Sequence, residues 1–288
     1  MIKVKNQIIK IINYIKYYFY FISFEKIKYQ INGCKFILNP NYEIDKQILL
    51  DKFEKKLTLI VKKLIKKNFV CFDLGANFGY YSVLISKLMN NTGKVYAFEP
   101  ADYQSERLRR NLDTNNCKNT EIIKKAVGEK SGLLDFYEFS AGSSLEGHST
   151  CEEKAIIHLN NKNKNTFKKK KVEQIKIDEF VKNRKLKRVD FIKIDVEGYE
   201  VKCLRGARNT INKFKPTVIF ELGYERNKII NYTLRDFFSN LKNYNFFAIT
   251  NGPLEKKIYK INKKNLKNVT DILAIHTRKN KNKFFFYK

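Results

Sequence analysis

Residues 69–79 read FVCFDLGANFG. An apolar run with strand character ends on Asp73 and passes directly into a loop with glycines at positions 75 and 79. A strand that ends in this way delivers the chain to a small molecule, because ligands of open α/β sheets collect outside the carboxyl ends of the strands. Three ligand classes compete for such a loop: a phosphate, a dinucleotide, or a molecule that needs a carboxylate beside bare backbone.

Outward from this stretch, strand-like and helix-like patterns alternate, which predicts an α/β fold: a mostly parallel sheet with helices on both faces. Strands are expected at 69–74, 94–99, 120–127, 189–195 and 216–222, with helices at 80–90, 101–116 and 198–211 between them. Residues 171–183 read as a strand and a short helix, and 132–139 as a short antiparallel addition. A helix near 232–242 precedes strands at 245–250 and 270–277, whose connector suits an antiparallel end to the sheet. The Ser- and Gly-rich stretch 140–150 and the lysine cluster NNKNKNTFKKKK at 160–171 read as loop. In domain terms, residues 1–60 form an amphipathic, helical accessory segment, 61–278 the main domain, and 279–288 a loose basic tail.

The predicted strands end, in order, on Asp73, Glu99, Asp195 and Glu221, so four carboxyl groups converge on one edge. A phosphate site needs the opposite charge, and GANFGYYS lacks the GK[ST] ending of a phosphate-binding loop. A dinucleotide needs G-x-G-x-x-G, whereas Gly75-Ala76-Asn77-Phe78-Gly79 is G-x-x-x-G and lacks the middle glycine that lets a pyrophosphate approach. S-adenosylmethionine (SAM) meets the remaining demands, with a ribose, an amino group, a sulfonium and no phosphate. Asp73 is placed to hold the turn's amides or the ligand ammonium, and Glu99 to accept from ribose hydroxyls.

The stretches DLGANFGYYS (73–82), GKVYAFEP (93–100), LRRNLDTNN (108–116), AVGEKSG (126–132) and FIKIDVEGYEVKCLRGA (191–207) together resemble the FkbM family of SAM-dependent methyltransferases. The resemblance implies a Rossmann-like class I methyltransferase fold: a seven-stranded, mostly parallel sheet with an antiparallel C-terminal strand. It places Asp73, Gly75, Asn77 and Gly79 on the cofactor loop and Glu99 at the ribose. It also puts Ala126, with Lys125, at the end of the third strand near the adenine, where related enzymes often carry an acidic or amide residue. Asp195 and Glu197 fall beside the transferred methyl, as candidates for taking the acceptor's proton or for capping the next helix. Lys193 belongs to the same strand motif and either pairs with a neighbouring carboxylate or serves a ribose 2′-O-methylation of RNA. In the loop 140–150, Ser143, Ser144 and His148 are candidate donors or a base. The methyl acceptor implied by the family is a hydroxyl on a sugar, glycan or related metabolite. RNA methylation and a SAM-binding protein without turnover stand as the alternatives.

Composition constrains the partners. The formal net charge of +29 comes mostly from lysine spread along the whole chain, so it does not by itself mark a nucleic-acid surface. The five cysteines are widely spaced and form no C-x-x-C pair, and the three histidines have no metal-ligand spacing, so no metal is expected and a cytoplasmic setting fits. At the amino terminus Ile8, Ile11, Ile12, Ile15, Phe19 and Ile22 recur at helical spacing between lysines. Such a helix either packs on the domain or gives peripheral membrane contact. No uncharged run approaches the ~18 residues of a spanning helix.

Overall fold

The computed structural model describes residues 15, 26–139, 147–156, 167–250, 259–261 and 269–279. The amphipathic stripe apart from Ile15, Ser143 and Ser144, and the basic tail beyond 279 lie outside the described residues.

Strands β1 (Ile27–Ile31) and β2 (Cys34–Leu38) form a hairpin, an addition to the helices expected in the first 60 residues. Its turn is Asn32-Gly33, both at positive φ (55° and 75°), the conformation a two-residue hairpin loop requires. Helices α1 (Glu43–Leu49) and α2 (Lys55–Leu64) follow. The alternating part then begins: β3 (Val70–Leu74), α3 (Tyr80–Leu88), β4 (Lys94–Phe98), α4 (Asp102–Thr114) and β5 (Thr120–Ile123). Strands β6 (Ala126–Val127), β7 (Gly132–Phe139) and β8 (Phe167–Ile175) make a separate three-stranded sheet. The chain returns through α5 (Ile177–Asn183), β9 (Phe191–Ile194), α6 (Glu200–Gly206), α7 (Arg208–Phe214), β10 (Thr217–Glu221), α8 (Tyr224–Ile230) and α9 (Leu234–Phe238). It ends with β11 (Tyr244–Thr250), β12 (Tyr259–Lys260) and β13 (Val269–His276).

The main sheet has the order β12-β11-β13-β10-β9-β3-β4-β5. Strands β10, β9, β3, β4 and β5 are parallel neighbours, and β13 runs antiparallel to both β10 and β11. These are the seven strands expected; the eighth, β12, is a two-residue addition at the β11 edge. The chain moves outward from β3 to β5 and then crosses back to β9, so the strand order reverses between β3 and β9. That reversal opens a crevice at the carboxyl edge.

Both faces of the sheet are buried, as strands rich in Val, Ile and Phe require. On one face Cys71, Phe191 and Leu273 pack with Phe36, Leu38, Ile48, Val61, Ile85 and Leu108. On the other, Phe72, Ile192 and Phe220 pack with Phe180, Val201, Leu204 and Phe237. The hairpin and the first two helices thus share the core of the main domain across the expected boundary at residue 60. Strand β2 is also tied to α4 by asparagine side chains: Lys35 N donates to Asn115 Oδ1 (2.8 Å) and Ile37 N to Asn111 Oδ1 (2.9 Å). These bonds satisfy edge amides that would otherwise be unpaired. Beneath them the buried Asp45 pairs with Arg107, which stacks near Tyr42 and Phe78.

Two elements differ from the sequence-based expectation. The strand expected over 120–127 divides: 120–123 stays in the main sheet, while Ala126–Val127 leaves it to pair with Gln174–Ile175. Part of the lysine cluster expected as loop, residues 167–171, lies in β8. There Lys169 and Lys171 reach Asp135 (3.1 and 2.7 Å) and Lys170 reaches Glu138 (2.7 Å), so cross-strand acids offset the repulsion. Among the described residues no helix is long and apolar enough to cross a membrane.

Candidate functional site

A cavity of about 270 Å³ lies at the carboxyl ends of β3, β4, β9 and β10, where the strand order reverses. Asp73, Gly75, Asn77, Glu99 and Ala126 line one side of it, and Lys193, Asp195 and Glu197 the other. Gly79 does not line it. Its φ is +95° and a Cβ there would fall 2.5 Å from Leu108 Cδ1, so this glycine lets α3 start close against α4.

On the first side, Gly75 N and Ala76 N both donate to Phe98 O (3.0 and 2.9 Å), which folds the loop over the end of β4. A Cβ at Gly75 would sit 1.8 Å from the backbone oxygen of Asp195, so the loop can lie against the end of β9 only with bare backbone. Asp73 is buried; its Oδ2 accepts from Ser82 Oγ (2.6 Å), while Oδ1 has no protein partner. An orphaned, buried carboxylate oxygen is costly unless a ligand donor reaches it. Glu99 braces the same loop, accepting from Asn77 N and Ala101 N (2.8 Å each). Burial pushes its carboxyl up to about 7 despite those bonds. Beyond it Ala126, Val127 and Phe136 supply an apolar wall.

The second side is a buried charge network. Lys193 lies beside Asp73 in the β3/β9 register, donates to Asp195 Oδ2 (2.9 Å) and rests over the Tyr81 ring (4.7 Å). Burial opposes its charge, but the carboxyls of Asp195, Asp73 and Glu54 outweigh that and hold it protonated. Burial likewise opposes ionisation of Asp195, and Lys193 more than compensates, leaving Asp195 below its ordinary range. Glu54 accepts from Tyr81 OH (2.6 Å), and burial raises its pKa. Asp271 is pushed well up by burial and then by Glu54 and Asp195.

Between β9 and α6 the chain makes a tight turn, with Glu197 at φ 56° and Gly198 at φ 103°. The buried Glu200 holds this turn by accepting from Val196 N and Gly198 N (3.1 Å each). Asp195, Glu197 and Glu221 offer oxygens all within 4.8 Å of one another. Arg226 of α8 pairs with both Glu197 and Glu221, so a guanidinium serves this acidic group in the structure. His148 Nδ1 lies 3.0 Å from Glu197 Oε1.

Sequence reasoning did not find Glu54, Tyr81, Arg226 or Asp271. Asp271 had a signal: an antiparallel strand brings its beginning, not its end, to the carboxyl edge, and the register sets Asp271 opposite Glu221. Glu54 and Arg226 carry no local pattern; packing alone brings Glu54 to the cavity and Arg226 to Glu197 and Glu221.

Five parallel strands with a central reversal, an antiparallel strand inserted at the far end, and an Asp-Leu-Gly strand end facing an acid on the next strand define a class I methyltransferase domain. The chain belongs to the family of the methyltransferase FkbM domain, whose family model matches residues 73–247. Over 155 residues it is 29% identical to methyltransferase sdnD of Sordaria araneosa, covering 46% of this chain and 58% of that protein. Over 151 residues it is 25% identical to the hexuronic acid methyltransferase AglP of Haloferax volcanii, covering 52% of this chain and 54% of that protein. The chain therefore spans little more than half the length of these curated relatives. Among solved structures it is similar to a methyltransferase FkbM from Methylobacillus flagellatus, with 16% identity and a TM-score of 0.47 over 80% of this chain and 52% of that one.

Proposed function

We propose that the protein is a SAM-dependent O-methyltransferase acting on a hydroxyl of a sugar, glycan or related polyhydroxylated metabolite. The observation that carries this is one cavity that sets two chemistries side by side: the orphaned Asp73 Oδ1 beside bare Gly75 backbone, and the Lys193–Asp195 pair. SAM fits the first. Asp73 Oδ1 would take its ammonium, Glu99 its ribose hydroxyls, and Ala126, Val127 and Phe136 would pack near its base. Bound there, SAM supplies a methyl group on a sulfonium.

Around the second the charges are fixed rather than mobile. Asp195, held ionised by Lys193, is a poor base but a good acceptor for orienting a hydroxyl. Glu54 and Asp271, both raised by burial, present carboxyl oxygens that can accept hydrogen bonds from a polyol. A cavity lined by carboxyl groups is unfavourable to a phosphate backbone, which supports a carbohydrate over RNA. The relation to a hexuronic acid methyltransferase supports the same acceptor class.

The test is calorimetry with SAM, followed by transfer of labelled methyl to pools of glycosides and of RNA. Binding followed by labelling of glycosides is the expected result. No SAM binding refutes the cofactor assignment, labelling of RNA refutes the acceptor class, and binding without any transfer indicates a non-catalytic SAM-binding protein.

A further inference from the structure

Taking the acceptor's proton requires a group with a free lone pair on the Asp195 and Glu197 side of the cavity. Lys193 is held protonated, and Asp195 is held ionised with lowered basicity. Glu54 and Asp271 are pushed by burial towards their protonated forms. Glu197 is engaged by Arg226.

Resting on the methyltransferase assignment, we infer that His148 is the general base of the reaction and Glu197 the residue that positions it. His148 lines the cavity together with Asp195 and Glu197, and its side chain keeps 42% of its exposure. With Glu197 an acceptor, the 3.0 Å contact makes Nδ1 the protonated nitrogen and leaves the lone pair on Nε2.

The segment carrying His148 is tied down from both directions. Thr150 Oγ1 donates to the backbone oxygen of Glu197 (2.7 Å), so the loop is docked on the same turn that presents the Glu197 carboxylate. Thr150 exchanges both backbone bonds with Tyr137 of β7 (2.9 and 3.0 Å). Gly147, at φ +103°, lies so close to the cofactor loop that a Cβ would come within 3.1 Å of Asn77 Nδ2. One short segment therefore touches the SAM side of the cavity and the acceptor side. Glu197 itself is a non-glycine residue in the left-handed region, a conformation that costs energy and persists where surrounding contacts impose it.

The step balances. The acceptor O–H proton passes to His148 Nε2 as a lone pair on that oxygen forms the new O–CH3 bond. The C–S bond breaks with its electrons going to sulfur, which becomes a neutral thioether. The resulting imidazolium is stabilised by the Glu197 carboxylate through Nδ1–H. Among the described residues, the charged groups facing His148 are Glu197 and Asp195 from the β9–α6 turn and Arg226 from α8. Burial and then Arg226 lower its pKa while Asp195 raises it, and the net shift is downward. That shift favours the neutral ring, the form able to accept a proton.

The test uses the full chain with methyl-labelled SAM and a panel of p-nitrophenyl hexosides and hexuronides. H148A and H148Q are expected to lower kcat by about 10² to 10⁴-fold, to leave the SAM dissociation constant within about twofold, and to regain part of the H148A loss with added imidazole. The acidic limb of the wild-type kcat profile should lie below the ordinary histidine range and shift lower in E197Q. Independently of turnover, imidazole ¹⁵N shifts should show the Nδ1–H tautomer for His148 at pH 7.5. Undiminished turnover in H148A, loss of SAM affinity in step with turnover, or an Nε2–H tautomer overturns the proposal. Failure of the wild-type protein to bind SAM would instead remove the methyltransferase assignment on which it rests.

Discussion

Gly75 provides a test in which conformational and steric costs can be separated, because Gly33 supplies a matched control. Both glycines have left-handed backbones, φ +80° and +75°. Placing an L-residue there costs about 1–2 kcal/mol in either case. They differ in their surroundings: a Cβ at Gly33 would meet nothing within 4 Å, whereas at Gly75 it would lie 1.8 Å from Asp195 O and 2.8 Å from Asp195 C. Restoring an ordinary contact of 3.4 Å requires the cofactor loop and the end of β9 to part by about 1.6 Å. That movement separates Asp73 from Asp195, and a misplacement of about 1 Å at a reacting centre costs on the order of 100-fold. Gly33→Ala should therefore lower the urea-unfolding free energy by about 1–2 kcal/mol and leave SAM affinity unchanged. Gly75→Ala should show a similar or larger stability loss, SAM affinity weakened at least ~10-fold and kcat/KM reduced ~100-fold or more. Calorimetry and denaturant titration on the two variants suffice. If Gly75→Ala binds SAM as well as Gly33→Ala does, the close approach of loop and strand is not what the site requires.

Three further outcomes follow from the geometry. Asp73→Asn removes the charge opposite the ligand ammonium and should weaken SAM binding by ~10- to 100-fold, the scale of one charge-assisted bond; unchanged affinity would place the ammonium elsewhere. Glu99 holds its proton up to about 7 when folded, against 4.5 as its ordinary value, so its contribution to folding stability is lost as pH rises from 4.5 to 7. Ribose hydroxyls donate to its ionised form, so S-adenosylhomocysteine should bind more tightly at pH 8 than at pH 6. Titration calorimetry should show that dependence reduced in Glu99→Gln, and equal pH dependence in both proteins would separate Glu99 from the ligand. Asp45→Ala removes the carboxylate paired with the nearly buried Arg107, whose side chain is 10% exposed, and should cost about 3–5 kcal/mol in urea unfolding; a loss under 1 kcal/mol would show that the first helices are not part of the cooperative core.

Much of the cofactor side was legible in the chain because its parts are close in sequence. Asp73, Gly75 and Asn77 occupy one strand-to-loop junction, and Glu99 ends the very next strand, so alternation of strand and helix places them at one edge without further information. The glycine spacing, read against Glu99, favoured a nucleoside without a diphosphate. The Asn32-Gly33 hairpin carried an equally local signal, and a helical stripe just upstream obscured it. Its strands are stabilised by asparagines some 80 residues away, which no local pattern reveals.

On its own, the sequence determined the parallel alternating fold and the order of the acids at its carboxyl edge, because periodicity and strand ends are local properties. Tertiary structure decided the acceptor side. His148 and Glu197 are 49 residues apart, Arg226 reaches back 29 residues to Glu197, and Glu54 meets Tyr81 across 27. Which carboxyl keeps its proton there depends on burial and on neighbours brought in by these contacts. Asp195 is held below its ordinary range because Lys193 is beside it, and His148 meets Glu197 across the cavity wall, conditions that exist only once the chain has folded.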